Sequence, residues 1–525
     1  MTQPLALQPH TAMAGPARLL KQPVNRPGFG YTASGPSAAA TNAAPAYGPV
    51  ALPPPAFEGQ FASPLGYPIR VYRLANGHRI VFEQRPTDAL SLRTFVDAGS
   101  IDEDPIQGRT PFYGQTGLPP GIAHLDEHCH FLTTRHFPAK NQWVQVVDHL
   151  GVRKNASTSH EVIQHELVFN KEDLPAMLNL HGEMVLNPLY VKDHIEQEKS
   201  AVIREAQERG RHPGFQIYDR LWTLMFDRPG MQTLGKVSDI QRISPEHLQQ
   251  FHQRFYTPDR MLTLISGQLD NLPATLAQLN QIFSSNPNTA QPIDAYQRQL
   301  RAVHLALPPG QVRTSSFVHP ELTHSIVTLG FPAPDATQYR DRTAMTMLMA
   351  ALVNEPDGLL TSTLIQNERL AHEVSVDYAA LKQAGLFTVS MNTMPGQEVQ
   401  LQQRALQLLT QLATTPINPE LLERLKNQIL VAFHKVLQSS EATTSMLGEA
   451  MIKGHGRYFA QYAQLVKSIT PADIQRVASQ CIRPDHYVLV YALPPSHPMA
   501  QQQAASMYSP SVLTPQGAPS GGWVL

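Results

Sequence analysis

The segment GIAHLDEHCHF (121–131) carries His124 and His128 four positions apart, with Glu127 three positions after His124. On a helix, residues four apart share a face, so the two imidazoles can close on one ion while the carboxylate stands beside them. The order His-x-x-Glu-His is the reverse of the zinc-site pattern His-Glu-x-x-His. Such a site needs a third protein ligand and an open fourth position. HIEQEKSAVIREAQERG (194–210) offers one, because Glu198, Val202 and Glu205 fall at i, i+4 and i+7, a single helical stripe. Glu205 is the candidate third ligand, and Glu198 the carboxylate that orients a ligand histidine. Read alone, this helix is better taken as a solvated charged face bridging Lys199, Arg204 and Arg209. A loose cluster of His124, His128, His130 and His136, without Glu205, also stays open. Cys129 points about 100° around the helix from His128 and is expected to pack rather than ligate.

Composition narrows the classes. Forty-one Lys and Arg against 42 Asp and Glu give a net charge of −1, so neither nucleic acid nor a membrane surface is expected as a partner. With 525 residues, 42% of them hydrophobic, the chain can fill several cores at roughly 100–150 residues per domain. Two cysteines, Cys129 and Cys481, exclude a disulfide framework and a Cys-rich zinc ribbon. No apolar run reaches about 18 residues and the N-terminus lacks a signal h-region, so a cytoplasmic chain with no membrane span is expected. No phosphate loop, nucleophile elbow or dinucleotide fingerprint occurs.

The elements that must position these residues are mixed α and β. Residues 1–57 hold no Asp or Glu and are rich in Pro, Ala and Ser; a disordered tail is expected over 1–65. An acid-free start also suits an organellar transit peptide, but the prolines oppose the amphipathic helix that one needs. IRVYRLANGHRIVFEQ (69–84) reads as a hairpin turning at Asn76-Gly77, and 91–100 as a further strand. Helices are expected near 121–133, 141–150, 172–186, 193–209, 245–255 and 272–284, with a strand at 260–270. Past a Pro/Asn/Gln-rich link the order repeats. Strands are expected near 300–308, 324–332, 386–392 and 487–494, and helices at 340–353, 357–367, 396–413, 418–437, 442–453 and 470–481. The expected organisation is a first domain at 66–285, a linker at 286–298, a second domain at 299–495 and a disordered tail at 496–525. The fold class is α+β, two duplicated αβ domains, each a mostly antiparallel sheet with helices on one side.

The two candidate segments resemble the insulinase, pitrilysin and mitochondrial processing peptidase family of zinc peptidases. In that family His-x-x-Glu-His is followed downstream by a ligand glutamate that ends a stretch like E-R-x-V-I-x-E. Here Glu205 lies 77 residues after His128, inside EKSAVIRE. The resemblance implies one zinc per chain held by His124, His128 and Glu205, Glu127 as general base, and Glu198 as supporting carboxylate. GVRKNASTSHE (151–161) is similar to the family's strand beside the site, which implies that Asn155 and Ala156 line an extended peptide substrate. Residues 234–270 follow the family's run into F-Y-x-P and a closing glycine strand.

The resemblance covers roughly 69–495 and implies a subunit that forms half of a clamshell chamber, as a homodimer or with a related chain. Around 364–376 it departs from the family. LIQNERLAHEVSV puts Ile365 and His372 where active members carry an arginine and a tyrosine that bind substrate. His372 is kept as a candidate substrate contact, and a partner subunit is the implied source of the missing pair. A non-catalytic peptide-binding homologue is the alternative. The insert at 103–121 is expected to form a loop at the mouth of the site.

Overall fold

The computed structural model describes residues 51–103, 117–226, 233–289, 305–354 and 356–498. Asn76-Gly77 turns the first hairpin, β2 (Pro68–Arg73) into β3 (Arg79–Gln84), with Gly77 at φ 99° and Arg73 opposite Arg79. They join β1 (Ala56–Ala62), β4 (Ala89–Val96), β5 (Arg153–Thr158), β6 (Ile163–Asn170) and β7 (Met261–Gly267) in a seven-stranded sheet ordered β1-β2-β3-β7-β4-β6-β5. Only β3 and β7 run parallel. Between these strands lie α1 (Ile122–Cys129), α2 (Gln142–His149), α3 (Leu174–Leu186), α4 (Lys192–Arg211), α5 (Pro213–Phe226), α6 (Val237–Arg242) and α7 (Pro245–Phe255). Helix α8 (Leu272–Ser284) follows β7.

The later part of the chain repeats this plan. Strands β8 (Val312–Val318), β9 (Ser325–Ala333), β10 (Glu373–Ala380), β11 (Gly385–Thr393) and β12 (Tyr487–Leu493) form a sheet ordered β10-β11-β9-β12-β8. Read from β5 inwards, β5-β6-β4-β7-β3 matches β10-β11-β9-β12-β8, and the parallel pair recurs as β8 with β12. Helix α9 (Tyr339–Val353) and a π-helical turn (Thr361–Asn367) precede β10. Helices α10 (Glu398–Thr414), α11 (Pro419–Leu437), α12 (Ser440–Ile452), α13 (Gly456–Ser468) and α14 (Pro471–Cys481) lead from β11 to β12. A trace of the repeat survives in the chain itself. Ser244-Pro245 opens α7 and Thr470-Pro471 opens α14, both through a capping box.

Each sheet buries one face against helices of its own half. The other face is covered by a helix from the opposite half, a feature absent from the expectation of helices on one side. Helix α5 lays Ile217, Leu221, Trp222 and Met225 on Val488 and Val490 of β12. Its topological counterpart α12 lays Leu447 and Met451 on Phe95, Leu262 and Leu264. Burial of each such side chain stabilises by about 1.5–3 kcal/mol. Two arginines of the first sheet fasten the exchange: Arg85 Nη2 donates to the Leu437 carbonyl at 2.7 Å and Arg79 Nη1 to that of Met451 at 3.2 Å. Both therefore sit at helix C-termini, where a cation is favoured.

Several elements differ from expectation. β1 lies inside the range 1–65 expected to be a disordered tail; its weakly apolar AFEGQFA pairs with β2, and flanking prolines hide the pattern. The strand expected near 300–308 is not seen at 305–308. The pairing falls at Val312–Val318, whose VRTSSFV suits an exposed edge. Strands β6 and β10 and helices α5, α6 and α13 escaped the sequence reading. Residues 1–50 and 499–525 of the expected tails, 104–116 of the expected mouth loop, 290–298 of the linker and 300–304 of the misplaced strand lie outside the described residues. Among the described residues no helix is long and apolar enough to cross a membrane.

Gly448 is where α12 crosses Phe95, and a Cβ there would overlap the ring. Gly448→Ala gains about 1 kcal/mol of helix propensity but must open the seam, at roughly 1–3 kcal/mol. A lowered Tm is expected in thermal denaturation; a raised Tm would show that the helix does not seat there.

Candidate metal centre

Helix α1 turns its apolar residues inward together with Asp126, which is fully buried and accepts from the Tyr190 hydroxyl. Ile122, Ala123, Leu125 and Cys129 enter the first core, which leaves His124, Glu127 and His128 to face α4 and β5. In α4, Val202 is fully buried in the same core and holds the stripe with Glu198 and Glu205 against α1. His124 Nε2 and His128 Nε2 each lie 3.8 Å from Glu205 Oε2. One ligand atom from each of the three residues falls within 4.8 Å of the others.

This donor set fits zinc. Tetrahedral ligands at about 2.0–2.1 Å from the ion lie roughly 3.3–3.5 Å apart, so closing the observed gaps takes only a small side-chain adjustment. The ring nitrogens are prepared for it. His128 Nδ1 meets Glu198 Oε1 at 2.9 Å; with Nδ1 donating, Nε2 keeps its lone pair for an ion. That hydrogen bond is the main cause of the depressed Glu198 pKa. Burial opposes charging of His128, yet its bond to Glu198 and the charges of Glu127, Glu198 and Glu205 raise its pKa. Burial, helped by His128 and Arg209, pushes His124 well down, which keeps its ring neutral and able to ligate. The other oxygen of Glu205 pairs with Arg209 Nη2 at 2.5 Å.

Glu127 is buried beside these groups, and Thr158 Oγ1 of β5 donates to its Oε2 at 2.5 Å. Burial lifts its pKa to about 7, against the opposing pull of His128 and Thr158. A carboxyl poised there can take or give a proton near neutral pH.

Among the described residues β5 is an edge strand, so Asn155 and Ala156 pair on one side, with Glu166 and His165 of β6. Ile365 packs on the second core, and His372 is exposed at the head of β10, its backbone N–H donating to Asn392. Among the described residues no hydrogen bond or ion pair links either to the cluster. His130 turns inward to the Met184 carbonyl and His136 binds Glu183, so neither joins the two ligand-facing histidines. Thr158, Arg209 and Glu103 were not assigned to the site from sequence. Arg209 continues the 198–202–205 stripe by one step and was legible there. Glu103, whose carboxylate bonds the start of α1, lies 18 residues before Gly121 and had no local signal.

A duplicated αβ unit whose first copy carries an inverted His-x-x-Glu-His helix facing a glutamate helix defines the class of M16-type peptidase folds. The chain belongs to the insulinase family: "Insulinase (Peptidase family M16)" matches residues 79–223, and "Peptidase M16 inactive domain" matches 242–429. The mitochondrial-processing peptidase subunit beta of Dictyostelium discoideum is 24% identical over 424 residues, covering 79% of this chain and 86% of that protein. Zinc protease PqqE of Helicobacter pylori is 22% identical over 379 residues, covering 71% and 83%. Among solved structures, a protease from Helicobacter pylori superposes with TM-score 0.71 at 21% identity, covering 81% of this chain and 99% of that one. A putative M16-like peptidase from Alicyclobacillus acidocaldarius gives 0.68 at 19%, covering 83% and 100%. These likenesses establish the fold.

Removing the Glu198 carboxylate frees the His128 ring. Glu198→Ala is expected to weaken Zn2+ binding about 10–100-fold in competition against a chromophoric chelator. Affinity equal to that of the unmodified chain would show that this bond does not prepare His128 as a ligand.

Proposed function

We propose that this chain is a zinc-dependent metalloendopeptidase that hydrolyses peptide bonds in unfolded or extended peptides. The observation that carries this reading is the approach of His124, His128 and Glu205 to one point beside the buried carboxyl of Glu127. His124 Nε2, His128 Nε2 and Glu205 Oε2 would hold one zinc ion. When bound, that ion polarises a carbonyl and lowers the pKa of water to about 7.

The chain's own residues do the rest. Thr158 pins Oε2 of Glu127, leaving Oε1 to accept the proton of the attacking water and then pass it to the leaving amine nitrogen. Glu198 holds His128 in one tautomer through Nδ1. The free edge of β5 at Asn155 and Ala156 would receive the substrate as an added strand. Backbone pairing of that kind needs an extended peptide, which folded domains do not offer.

A second reading is favoured by Ile365 and His372. Ile365 is packed against the second core and His372 makes no hydrogen bond to the cluster among the described residues, so these two positions offer no arginine–tyrosine pair to the substrate. On this reading the chain is the zinc-bearing half of a dimeric chamber, as a homodimer or with a related subunit that supplies the pair. That relatives are named as a subunit beta supports it.

Cleavage of a quenched unstructured peptide by the purified chain, with and without a chelator, tests both. Chelator-sensitive turnover is expected, and Glu127→Gln should lower kcat by about 10²–10⁴ while zinc stays bound. Undiminished turnover in that variant would remove Glu127 from the mechanism. Zinc retained without turnover would favour the partner-dependent reading, and turnover restored by no related subunit would favour a non-catalytic peptide binder.

A further inference from the structure

We infer that Glu103 is a positioning residue for the metal centre, its carboxylate fixing the first turn of α1 and with it His124. The inference rests on the reading of His124, His128 and Glu205 as metal ligands.

Helix α1 is eight residues long, and its first N–H groups have no partner within the helix. The usual remedy, a Ser, Thr, Asp or Asn side chain at the N-cap, is closed here. The cap is Gly121 at φ 87°, and a Cβ there would overlap the Leu234 carbonyl. Glu103 takes over from outside the helix. Its Oε2 accepts the Gly121 N–H at 2.8 Å and its Oε1 accepts the Ala123 N–H at 2.9 Å. The carboxylate is buried close to the charges of Asp102 and Asp239. Placing it there is costly unless both oxygens are used, and both are. Burial, with Asp102 and Asp239, pushes its pKa well above the usual carboxylate range, against the pull of the two N–H groups.

Why this matters for the centre lies in how each ring is held. His128 is steadied by Glu198, but among the described residues His124 Nδ1 is buried without a hydrogen-bond partner. The position of the His124 ring therefore follows the backbone one residue past Ala123. The segment that presents Glu103 is anchored in turn. Ser100 and Ile101 donate to the Ser159 and His160 carbonyls in the turn after Thr158, the residue that bonds Glu127. Ile101 also sits in the core that α5 shares with β12. One strut thus ties the start of the motif helix, the strand that holds the Glu127 carboxyl and the second half of the chain.

The test is Zn2+ affinity by chelator competition, with the visible spectrum of the Co2+-substituted protein, on the full chain. The unmodified chain and His124→Ala come first. If the former binds no zinc tightly, or the latter loses none, the metal-centre reading falls and this inference with it. With that control passed, Glu103→Gln turns an NH2 toward one of the two N–H groups. It is expected to bind Zn2+ about 10–100-fold more weakly, shift the Co2+ bands and lower kcat with little change in KM. Glu103→Asp, which keeps the charge but is too short to span both donors, should fall between, and carries the same comparison if Glu103→Gln does not fold. Leu447→Ala, a buried change on the far face of the sheet, should lower Tm and leave both metal readouts unmoved. Affinity and spectrum unchanged in the Glu103 variants would overturn the inference, as would an equal loss in Leu447→Ala.

Discussion

One carboxylate on α4 must meet two imidazoles on α1, and the packing around the centre serves that requirement. Side-chain reach tolerates little error here, because a ligand moved by an ångström no longer closes on an ion. The tolerance is met by burial. Val202 from one helix and Leu125 and Cys129 from the other enter one core, so neither helix can rotate without opening it. Close packing of this kind carries positional accuracy as well as stability.

Electrostatics then decide which state the side chains adopt. Glu127, Glu198 and Glu205 crowd two histidines, and left charged and unpartnered they would repel. Each has its own arrangement. Glu198 takes a hydrogen bond from His128, Glu205 shares a charge pair with Arg209, and Glu127 is buried until its pKa approaches 7. The three carboxyls thus differ in kind although they are alike in sequence. Burial that would be a liability in a structural residue suits the proton-carrying role proposed for Glu127.

The His124, His128 and Glu205 cluster was readable because helical spacing is local: 124 and 128 share a face whatever the rest of the chain does, and so do 198 and 205. Most long helices and the Asn76-Gly77 hairpin were readable for the same reason. What escaped depends on partners far away in sequence. Strand β1 has weak alternation and exists through its pairing with β2. Helix α5 packs its apolar residues on the opposite sheet. Glu103 is one acid among 42 Asp and Glu until the fold brings it under Gly121. The internal repeat was visible only as element order. Superposing the sheet orders is what aligns Ser244-Pro245 with Thr470-Pro471.

The repeat also explains what the second half is for. By topology α9 is the counterpart of α1, each following a central strand and preceding an edge strand. Where α1 carries His124, Glu127 and His128, α9 carries Met345, Met347, Leu348, Met349 and Leu352, all buried. One copy gives its helix to the polar cluster and the other to packing. The exchange of α5 and α12 makes the two copies interdependent, since each sheet would otherwise present an apolar face to water. Arg79 and Arg85 add charge-assisted bonds at the ends of α12 and α11. A half without the candidate ligands is therefore joined to the centre through Ile101, whose segment carries Glu103 to the start of α1.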